Sequence, residues 1–493
     1  MVVLMVCVLV SSVGAAADWS AVEEADVIVV GAGFAGMVAA VEAADTGARV
    51  VLFEKTTRTG GSVVIAGGSL SGANAMMQYE AGITHDSAEA FYADIFRLGR
   101  GKHDPQLAWT HVRNAGLAVD YMDKLGVDFG DRQPGNSAYD PFDIDRQYMA
   151  EDGGLGYYYV LDAEINKRIE RGDIQLFLST EVVDLLQDKT GRVVGVTAVD
   201  AETEESQDYT APATILATGG YAANMELIQR YNYENALTAA LPHATGDGYV
   251  MAEKIGAGFA NMEYLPAYPG SIPLPDSDYR HSVSAQVVNY PGAIWVNHYG
   301  QRMSSEDGLT VTQRQDVWAN APANTVFILL DSRIRAENES IVSGRDWEYF
   351  DGLIDDGVVQ VADTIEELAE KLGIASSGLV ETVVRYNGFV DAGEDTDFGR
   401  ADLAYALEEA PFYGFKTYPY VLLTKGGPTM NTRAQLLDTD GKIIWGVYQT
   451  GELVGGANIG GHGSVGGLAH TINVVWGRIS GQNAAEYALM QRQ

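Results

Sequence analysis

A glycine-rich turn followed by a carboxylate gives this chain its clearest chemical motif. Gly31, Gly33 and Gly36 form a GxGxxG pattern, and Glu54 ends the next apolar run. These glycines allow a tight turn, close approach of the backbone to a pyrophosphate, and close packing of a helix on a strand. A carboxylate at the end of the second strand can accept hydrogen bonds from a ribose. The pattern therefore predicts a dinucleotide-binding site.

The elements that must position this turn can also be predicted. Residues 26–30 form a continuous β-branched strand, residues 34–46 an alanine-rich helix, and residues 49–53 a second strand. Strand, turn, helix and strand within about 30 residues make a βαβ unit, whose strands are parallel and whose crossover is right-handed. Further strands are predicted at 174–177, 193–199, 213–217, 326–330 and 447–449.

Composition excludes several classes of protein. The net charge of −35 would repel the phosphates of nucleic acids and of an anionic bilayer, so a nucleic-acid partner is not expected. The only cysteine is Cys7, so the body of the chain cannot carry a disulfide, a Cys-ligated iron–sulfur cluster or a thiol nucleophile. No metal site is predicted. Redox chemistry would need a bound organic cofactor.

The N-terminal residues 1–17 form a short apolar core followed by small residues. This pattern is typical of a cleaved signal peptide, and it is too short to span a bilayer as a helix. We therefore expect an exported, periplasmic protein with no membrane span. Because no Lys or Arg precedes the apolar core, an over-extended start or a buried strand, with a cytoplasmic location, stays as the alternative.

Further glycine turns distinguish FAD from NAD as the dinucleotide. An extended FAD passes beneath the backbone at several points, whereas a domain that binds only NAD has no evident need for extra turns. Near the C-terminus, seven of the thirteen residues 455–467 are glycine, and a helix is predicted from about Leu468. The additional turns are Gly60-Gly61-Ser62, Ala66-Gly67-Gly68, Ala217-Thr218-Gly219-Gly220 and Gly451-Glu452.

With these motifs in this order, the chain resembles the fumarate reductase/succinate dehydrogenase flavoprotein family. The resemblance is to the soluble branch that includes urocanate reductases and 3-ketosteroid dehydrogenases. It implies an α/β fold in which a discontinuous Rossmann-like FAD-binding domain, 22–263 and 424–493, carries an inserted α+β capping domain, 264–423. The resemblance also rests on His243-Ala-Thr-Gly-Asp-Gly248, Gly292-Ala-Ile-Trp-Val-Asn297, Gly300-Gln-Arg302 and Tyr386-Asn-Gly388.

The resemblance also implies which residues hold FAD. Membrane-bound relatives attach FAD covalently to a histidine just ahead of the Ala-x-Gly-Gly turn. Residues 60–65 contain no histidine, so the expected FAD is non-covalent. The expected contacts are Gly31, Gly33, Phe34, Ala35, Gly36, Glu54, Lys55, Gly60, Gly61, Ser62, Ala66, Gly67, Gly68, Val182, Ala217, Thr218, Gly219, Asp247, Gly451, Glu452, Ser464, Gly467 and Leu468.

The charged residues with which the family binds and protonates a dicarboxylate are missing here. Two histidines, a clamp arginine and an arginine–glutamate–arginine proton relay serve that purpose in fumarate reductases. Because all six positions are neutral, no useful fumarate or succinate activity is expected. By local alignment the histidines fall on Tyr268 and Leu423, the clamp on Ser464, and the relay on Thr310, Gln286 and Asn289.

Neutral groups and a few cations are left for catalysis. The predicted catalytic residues are Tyr268, His462, Ser464 and Arg302, with Arg314 and Lys425 as further possible charges. Hydride would move between flavin N5 and the carbon β to a carbonyl, while a phenol or imidazole moves the proton at the α carbon.

Each of these side chains also has a structural alternative. Tyr268 could pack in the core, His462 could order its loop, and Arg302 could pair with Glu306. Tyrosines 157–159 could line a hydrophobic substrate pocket or belong to an aromatic core. Residues 391–410 are acidic and are predicted to be a solvated surface loop.

The predicted function is that of an FAD-dependent oxidoreductase acting on a carbon–carbon double bond conjugated to a carbonyl, most simply a reductase. The chain shows no haem motif, so an external donor such as a cytochrome or a reduced flavin- or quinone-linked protein is expected. Two alternatives remain. One is a dehydrogenase of ketosteroid type, although the signature tyrosine of those enzymes falls on Ser464. The other is an electron carrier with degenerate catalysis.

Overall fold

The computed structural model describes residues 25–137, 140–274, 277–282, 290–338, 341–342 and 344–492. The predicted signal peptide, 1–17, lies outside the described residues, as do the aligned relay positions Gln286 and Asn289.

A six-stranded sheet forms the centre of the nucleotide-binding half. Val27–Val30 is buried along its whole length and pairs in parallel with Val50–Phe53 on one side and Ala213–Leu216 on the other. Buried β-branched runs of this kind are typical of parallel sheets covered on both faces. The predicted βαβ pairing is confirmed. In spatial order the strands are Gln435–Leu437, Ile443–Gln449, Ala213–Leu216, Val27–Val30, Val50–Phe53 and Ile174–Phe177.

Two helices from opposite ends of the chain pack on this sheet and on each other. Phe34–Asp45 is buried at nearly every position, and Leu468–Gln491 lies against it. Arg478 Nε donates to Glu42 Oε2 over 2.9 Å, and Ser71 N donates to Thr471 Oγ1 over 2.8 Å. The C-terminal helix thus completes the core around the glycine turn.

A seven-stranded sheet forms most of the second half. Its strands fall within the predicted cap, 264–423, apart from Leu237–Thr238, which pairs with Phe412–Val421. The exact division between the two domains therefore stays a prediction. The path is Leu237–Thr238, Ser277–Ser282, Tyr268–Leu274, Phe412–Val421, Val326–Leu330 and Ile294–Val296, with Val359–Ala362 also pairing with Phe412–Val421.

Smaller sheets and helices complete the described residues, and the predicted α/β class is confirmed. In the smaller sheets, Val193–Asp200 pairs with both Thr180–Gln187 and Ser206–Thr210, Ser69–Ser71 pairs with Gln147–Met149, and Phe259–Ala260 pairs with Gly427–Pro428. The other helices are Met76–Glu80, Ala88–Leu98, Pro105–Leu125, Gly154–Glu170, Met225–Tyr231, Asp247–Lys254, Val311–Asn320, Arg333–Glu337, Trp347–Asp355, Ile365–Leu372, Ser376–Ala392 and Gly456–Gly460; short 3₁₀ turns are Gly61–Ile65, Pro322–Asn324 and Gly451–Val454.

The acidic segment 391–410 is largely exposed to solvent, as predicted, but two of its charged residues are buried. Asp395 and Arg400 are 5% and 3% exposed, and they form a buried charge cluster with Arg302 and Glu306. Long-range pairing rather than local composition places these charges in the core of the cap.

Among the described residues, no helix has both the length and the apolar character needed to cross a membrane. The same residues contain no grouping of three or more His, Cys, Asp or Glu side chains able to hold a metal ion.

Candidate active site

An elongated cavity of about 550 Å³ opens where the glycine turn, the Ala217–Gly220 turn and the C-terminal glycine-rich segment meet. It begins at the carboxyl ends of the strands Val27–Val30 and Val50–Phe53 and reaches the cap at Tyr268 and Leu423. Crevices at the carboxyl ends of parallel strands are the usual ligand sites of such sheets.

The GxGxxG turn has the geometry that its sequence predicts. Gly31 has a φ of +101°, and a Cβ there would lie 2.5 Å from the carbonyl oxygen of Ala217. The helix that follows starts at Phe34 with no side-chain cap. Its first amide groups are left available, and a helix N-terminus of this kind favours a phosphate.

Most of the predicted cofactor residues line the cavity. Gly36, Gly60 and Gly68 do not. Gly36 and Gly68 pack against backbone, and a Cβ on Gly36 would lie 1.8 Å from the carbonyl oxygen of Gly31, whereas Gly60 packs against the side chains of Val64 and Tyr158. The predicted residues that line the cavity are Gly31, Gly33, Phe34, Ala35, Glu54, Lys55, Gly61, Ser62, Ala66, Gly67, Val182, Ala217, Thr218, Gly219, Asp247, Gly451, Glu452, Ser464, Gly467 and Leu468.

One end of the cavity carries the carboxylate predicted to bind a ribose. Glu54 Oε2 accepts a hydrogen bond of 2.9 Å from Ala32 N, and Oε1 accepts one of 2.9 Å from Thr56 N. Beside it, Lys55 Nζ donates to Asp247 Oδ2 over 2.6 Å. The carboxylate is therefore held in one orientation, and the neighbouring lysine is neutralised by its own partner.

A second carboxylate lies further along the cavity. Glu452 Oε1 accepts from Thr424 N at 2.6 Å and from Thr424 Oγ1 at 2.8 Å. Burial raises the pKa of Glu452. The buried hydroxyl of Thr218, also in the cavity wall, has no hydrogen-bond partner among the described residues. Free helix amides, an unpaired hydroxyl and two anchored carboxylates fit the phosphates and hydroxyls of FAD.

Tyr268 is the predicted catalytic residue that the structure places in the cavity on the cap side. Its ring stacks on that of Tyr420 with centroids 5.4 Å apart, and its hydroxyl contacts the side-chain amide of Gln315. Burial raises the pKa of Tyr268 to about 12, although the Gln315 hydrogen bond opposes the shift. The phenol is therefore protonated at neutral pH and can donate a proton.

Ser464 and Leu423 also line the cavity, so three positions that align with charged residues of fumarate reductases present neutral side chains to it. Ser464 N donates to Thr312 Oγ1 over 2.9 Å. Thr310, aligned with a relay arginine, caps the helix Val311–Asn320 instead, since its hydroxyl accepts from Gln313 N at 3.1 Å.

His462 does not line the cavity. Its ring stacks on Tyr264 with centroids 4.4 Å apart, and Nε2 lies 2.8 Å from Asn261 Oδ1. Burial lowers the pKa of His462, so the ring is neutral at pH 7. These contacts match the alternative in which His462 orders its loop.

Arg302 does not line the cavity either, and its predicted catalytic role is corrected here. Its guanidinium donates to Glu306 at 3.0 and 2.6 Å and to Asp395 at 3.0 Å, and the side chain is only 5% exposed. Nε and Nη2 are held by two buried carboxylates away from the cavity, and Nη1 is buried without a hydrogen-bond partner among the described residues. The predicted pairing with Glu306 is what the structure shows.

The tyrosine cluster 157–159 follows the core alternative rather than the pocket. Tyr157 is completely buried, and its hydroxyl donates to the carbonyl oxygen of Gly68 over 2.8 Å. Tyr159 is 59% exposed. Neither side chain lines the cavity.

Lys425 contributes more to the site than its sequence position indicates. It lines the cavity between Thr424 and the glycine-rich segment, and Nζ donates to the carbonyl oxygen of Gly463. Burial lowers the pKa of Lys425 to about 8.

The contacts that Tyr420 and Gln315 make with Tyr268 were not predicted from the sequence, because pairing between distant segments carries no local signal.

Comparison with known proteins agrees with this geometry. The FAD binding domain family matches residues 26–467. A probable fumarate reductase of Shewanella frigidimarina is 31% identical over 470 residues, covering 95% of this chain and 76% of the relative. A urocanate reductase of Eggerthella lenta is 33% identical over 477 residues, covering 94% and 75%.

A solved structure extends the similarity to three dimensions. The open conformation of a flavocytochrome c3 fumarate reductase matches with a TM-score of 0.72 at 30% identity, covering 95% of this chain and 79% of that one. The resemblance and the FAD cofactor inferred from the sequence are confirmed. The chain belongs to the fumarate reductase/succinate dehydrogenase flavoprotein family, as an FAD-dependent oxidoreductase acting on carbon–carbon double bonds.

Proposed function

We propose that this protein reduces a carbon–carbon double bond conjugated to a carbonyl and that it is not a true fumarate reductase. The observation that carries the proposal is the neutral cap side of the cavity. Tyr268, Leu423 and Ser464 stand there where the family binds two carboxylates with cations. A second carboxylate would be desolvated without a partner, which is costly.

Tyr268 is the proposed proton donor. Its neutral phenol lies at the cavity wall, held between the Tyr420 ring and the Gln315 amide. A donor fixed in this way can protonate the α carbon of the substrate in step with reduction at the β carbon. When bound, FAD would supply the hydride.

Apolar side chains also line the cavity. They include Leu423, the Tyr268 ring and Val465. A poorly hydrated site strengthens the polarisation of a carbonyl by any fixed donor. These residues would also bind the apolar part of the substrate.

A panel of acceptors tests the proposal. The FAD-loaded protein is reduced chemically under anaerobic conditions, and flavin reoxidation is followed after addition of fumarate, urocanate, cinnamate or a steroid enone. Reoxidation by a conjugated acceptor other than fumarate is expected. Rapid reoxidation by fumarate would contradict the substrate assignment, and no reoxidation by any acceptor would favour the electron-carrier alternative.

The electron donor and the location belong to the same proposal. We propose an external donor, a cytochrome or a reduced flavin- or quinone-linked protein, and export directed by residues 1–17. FAD is proposed to be non-covalent. Electron transfer from a candidate donor is measured by flavin bleaching, and the absence of residues 1–17 from the mature N-terminus would verify export.

A further inference from the structure

We propose that Lys425 binds the single anionic group of the substrate, which makes α,β-unsaturated monocarboxylates the preferred substrate class. The proposal rests on the proposed reduction of a conjugated double bond, and it names the residue that binds the carboxylate attached to the α carbon that Tyr268 protonates. Lys425, Tyr268 and Ser464 line the same cavity.

The position of the ammonium supports this role. Lys425 Nζ donates to the carbonyl oxygen of Gly463, which directly precedes Ser464. Ser464 is the position that aligns with the clamp arginine of fumarate reductases. The chain therefore places a cation beside the site where that arginine is missing, although the lysine belongs to a different segment.

The other charged groups of the cavity wall do not neutralise the Lys425 ammonium. Lys55 pairs with Asp247 at 2.6 Å, and Glu452 is bonded by Thr424. Among the described residues, no carboxylate lies within ion-pair distance of Lys425 Nζ. Its contacts are the Gly463 carbonyl and, at 5.6 Å, the Tyr264 ring. A desolvated cation without a counter-charge is unfavourable. A bound carboxylate would supply that counter-charge.

The other groups around Lys425 do not replace a bound anion. Asp140 attracts the ammonium from a distance, but its carboxylate accepts from Val311 N at 3.1 Å at the start of the helix Val311–Asn320. His462 is neutral at pH 7, and Arg100 is paired with Asp316.

The pH dependence follows from these surroundings. Burial lowers the pKa of Lys425 to about 8, so the ammonium is charged below that pH. The affinity for a carboxylate should therefore be high at pH 7 and fall as the pH rises beyond the lysine pKa. A bound anion favours the charged form and raises the lysine pKa in the complex, so the fall begins near the pKa of the free protein and levels off above that of the complex.

The test compares acids with their uncharged amides. Cinnamate and cinnamamide, and crotonate and crotonamide, are titrated into the oxidised FAD-loaded protein, and binding is followed through the flavin absorbance. The variants are Lys425→Met and Lys425→Arg. Lys442→Met is the matched control, because Lys442 is 74% exposed and pairs with Asp440 at the surface.

In the unaltered protein, at least one acid should bind about 10- to 100-fold more tightly than its amide at pH 7, as expected for a charge-assisted hydrogen bond. Lys425→Met should abolish this preference and its decline above pH 8, with amide binding and flavin content unchanged. Lys425→Arg should keep the preference and remove the decline. Lys442→Met should alter neither.

The proposal is overturned if no acid binds more tightly than its amide, or if Lys425→Met retains the preference. Because binding is read on oxidised protein, this result is independent of turnover. Tight acid binding without flavin reoxidation would contradict the proposed reductase function while leaving the role of Lys425 intact.

Discussion

Replacement of Arg302 by methionine should destabilise the protein without changing the chemistry of the cavity. Arg302 and Arg400 balance Glu306 and Asp395 in the buried charge cluster, whose side chains are all at most 5% exposed. Removing one cation leaves two buried carboxylates with a single positive partner. Loss of one partner from a buried ion pair costs about 3–5 kcal/mol. A loss of 3 kcal/mol lowers Tm by about 6–12 °C for a cooperative unit of 150–250 residues.

Thermal unfolding of the FAD-loaded Arg302→Met protein measures this loss, and turnover per folded, flavin-containing protein is measured well below Tm. Arg385→Met is the matched control. Arg302 lies over the Tyr386 ring and Arg385 over the Phe389 ring, but Arg385 pairs with Asp397 at the surface. An exposed pair contributes about 0–1 kcal/mol, so the control should unfold nearly normally. An Arg302→Met protein with normal Tm and greatly reduced turnover would refute the structural role and restore the catalytic one.

Three further outcomes are expected. Tyr268→Phe should keep the aromatic stacking and lower turnover at least ~10²-fold. Tyr418→Phe, on the neighbouring strand and outside the cavity, should not lower turnover. Equal turnover of the Tyr268→Phe variant and the unaltered protein would show that Tyr268 has only a packing role. Gly31→Ala should reduce flavin content, because the new Cβ would lie 2.5 Å from the facing carbonyl oxygen and the φ of +101° adds about 1–3 kcal/mol of strain. Gly441→Ala is the control, because Gly441 also has a positive φ but has open space around it, and this variant should retain FAD. Acid precipitation should leave the flavin in the supernatant, since residues 60–65 contain no histidine; a yellow pellet would show a covalent bond.

The parts predicted well from the sequence are those determined by neighbouring residues. The strand Val27–Val30, the glycine turn and the helix Phe34–Asp45 follow from β-branched residues, glycine spacing and small side chains within one short segment. The pairing of Arg302 with Glu306 is local as well, four residues apart. Periodicity and spacing contain this information directly.

The parts predicted poorly depend on segments far apart in the chain. Asp395 reaches Arg302 across 93 residues, which buries one charged residue of an otherwise largely exposed segment. His462 is oriented by Asn261 across 201 residues, a contact that its position in the loop does not predict. The importance of Lys425 likewise depends on where the Gly463 carbonyl lies.

The packing of Leu468–Gln491 on Phe34–Asp45 also determines when the protein can mature during translation. Roughly 430 residues separate the two helices, and at 5–20 residues/s the ribosome needs about 20–90 s to synthesise that length. During this interval the apolar face of the first helix lacks the partner that buries it, and the cavity lacks one wall. FAD can therefore be enclosed only after synthesis of the C-terminal helix, and until then the nascent chain depends on protection from aggregation.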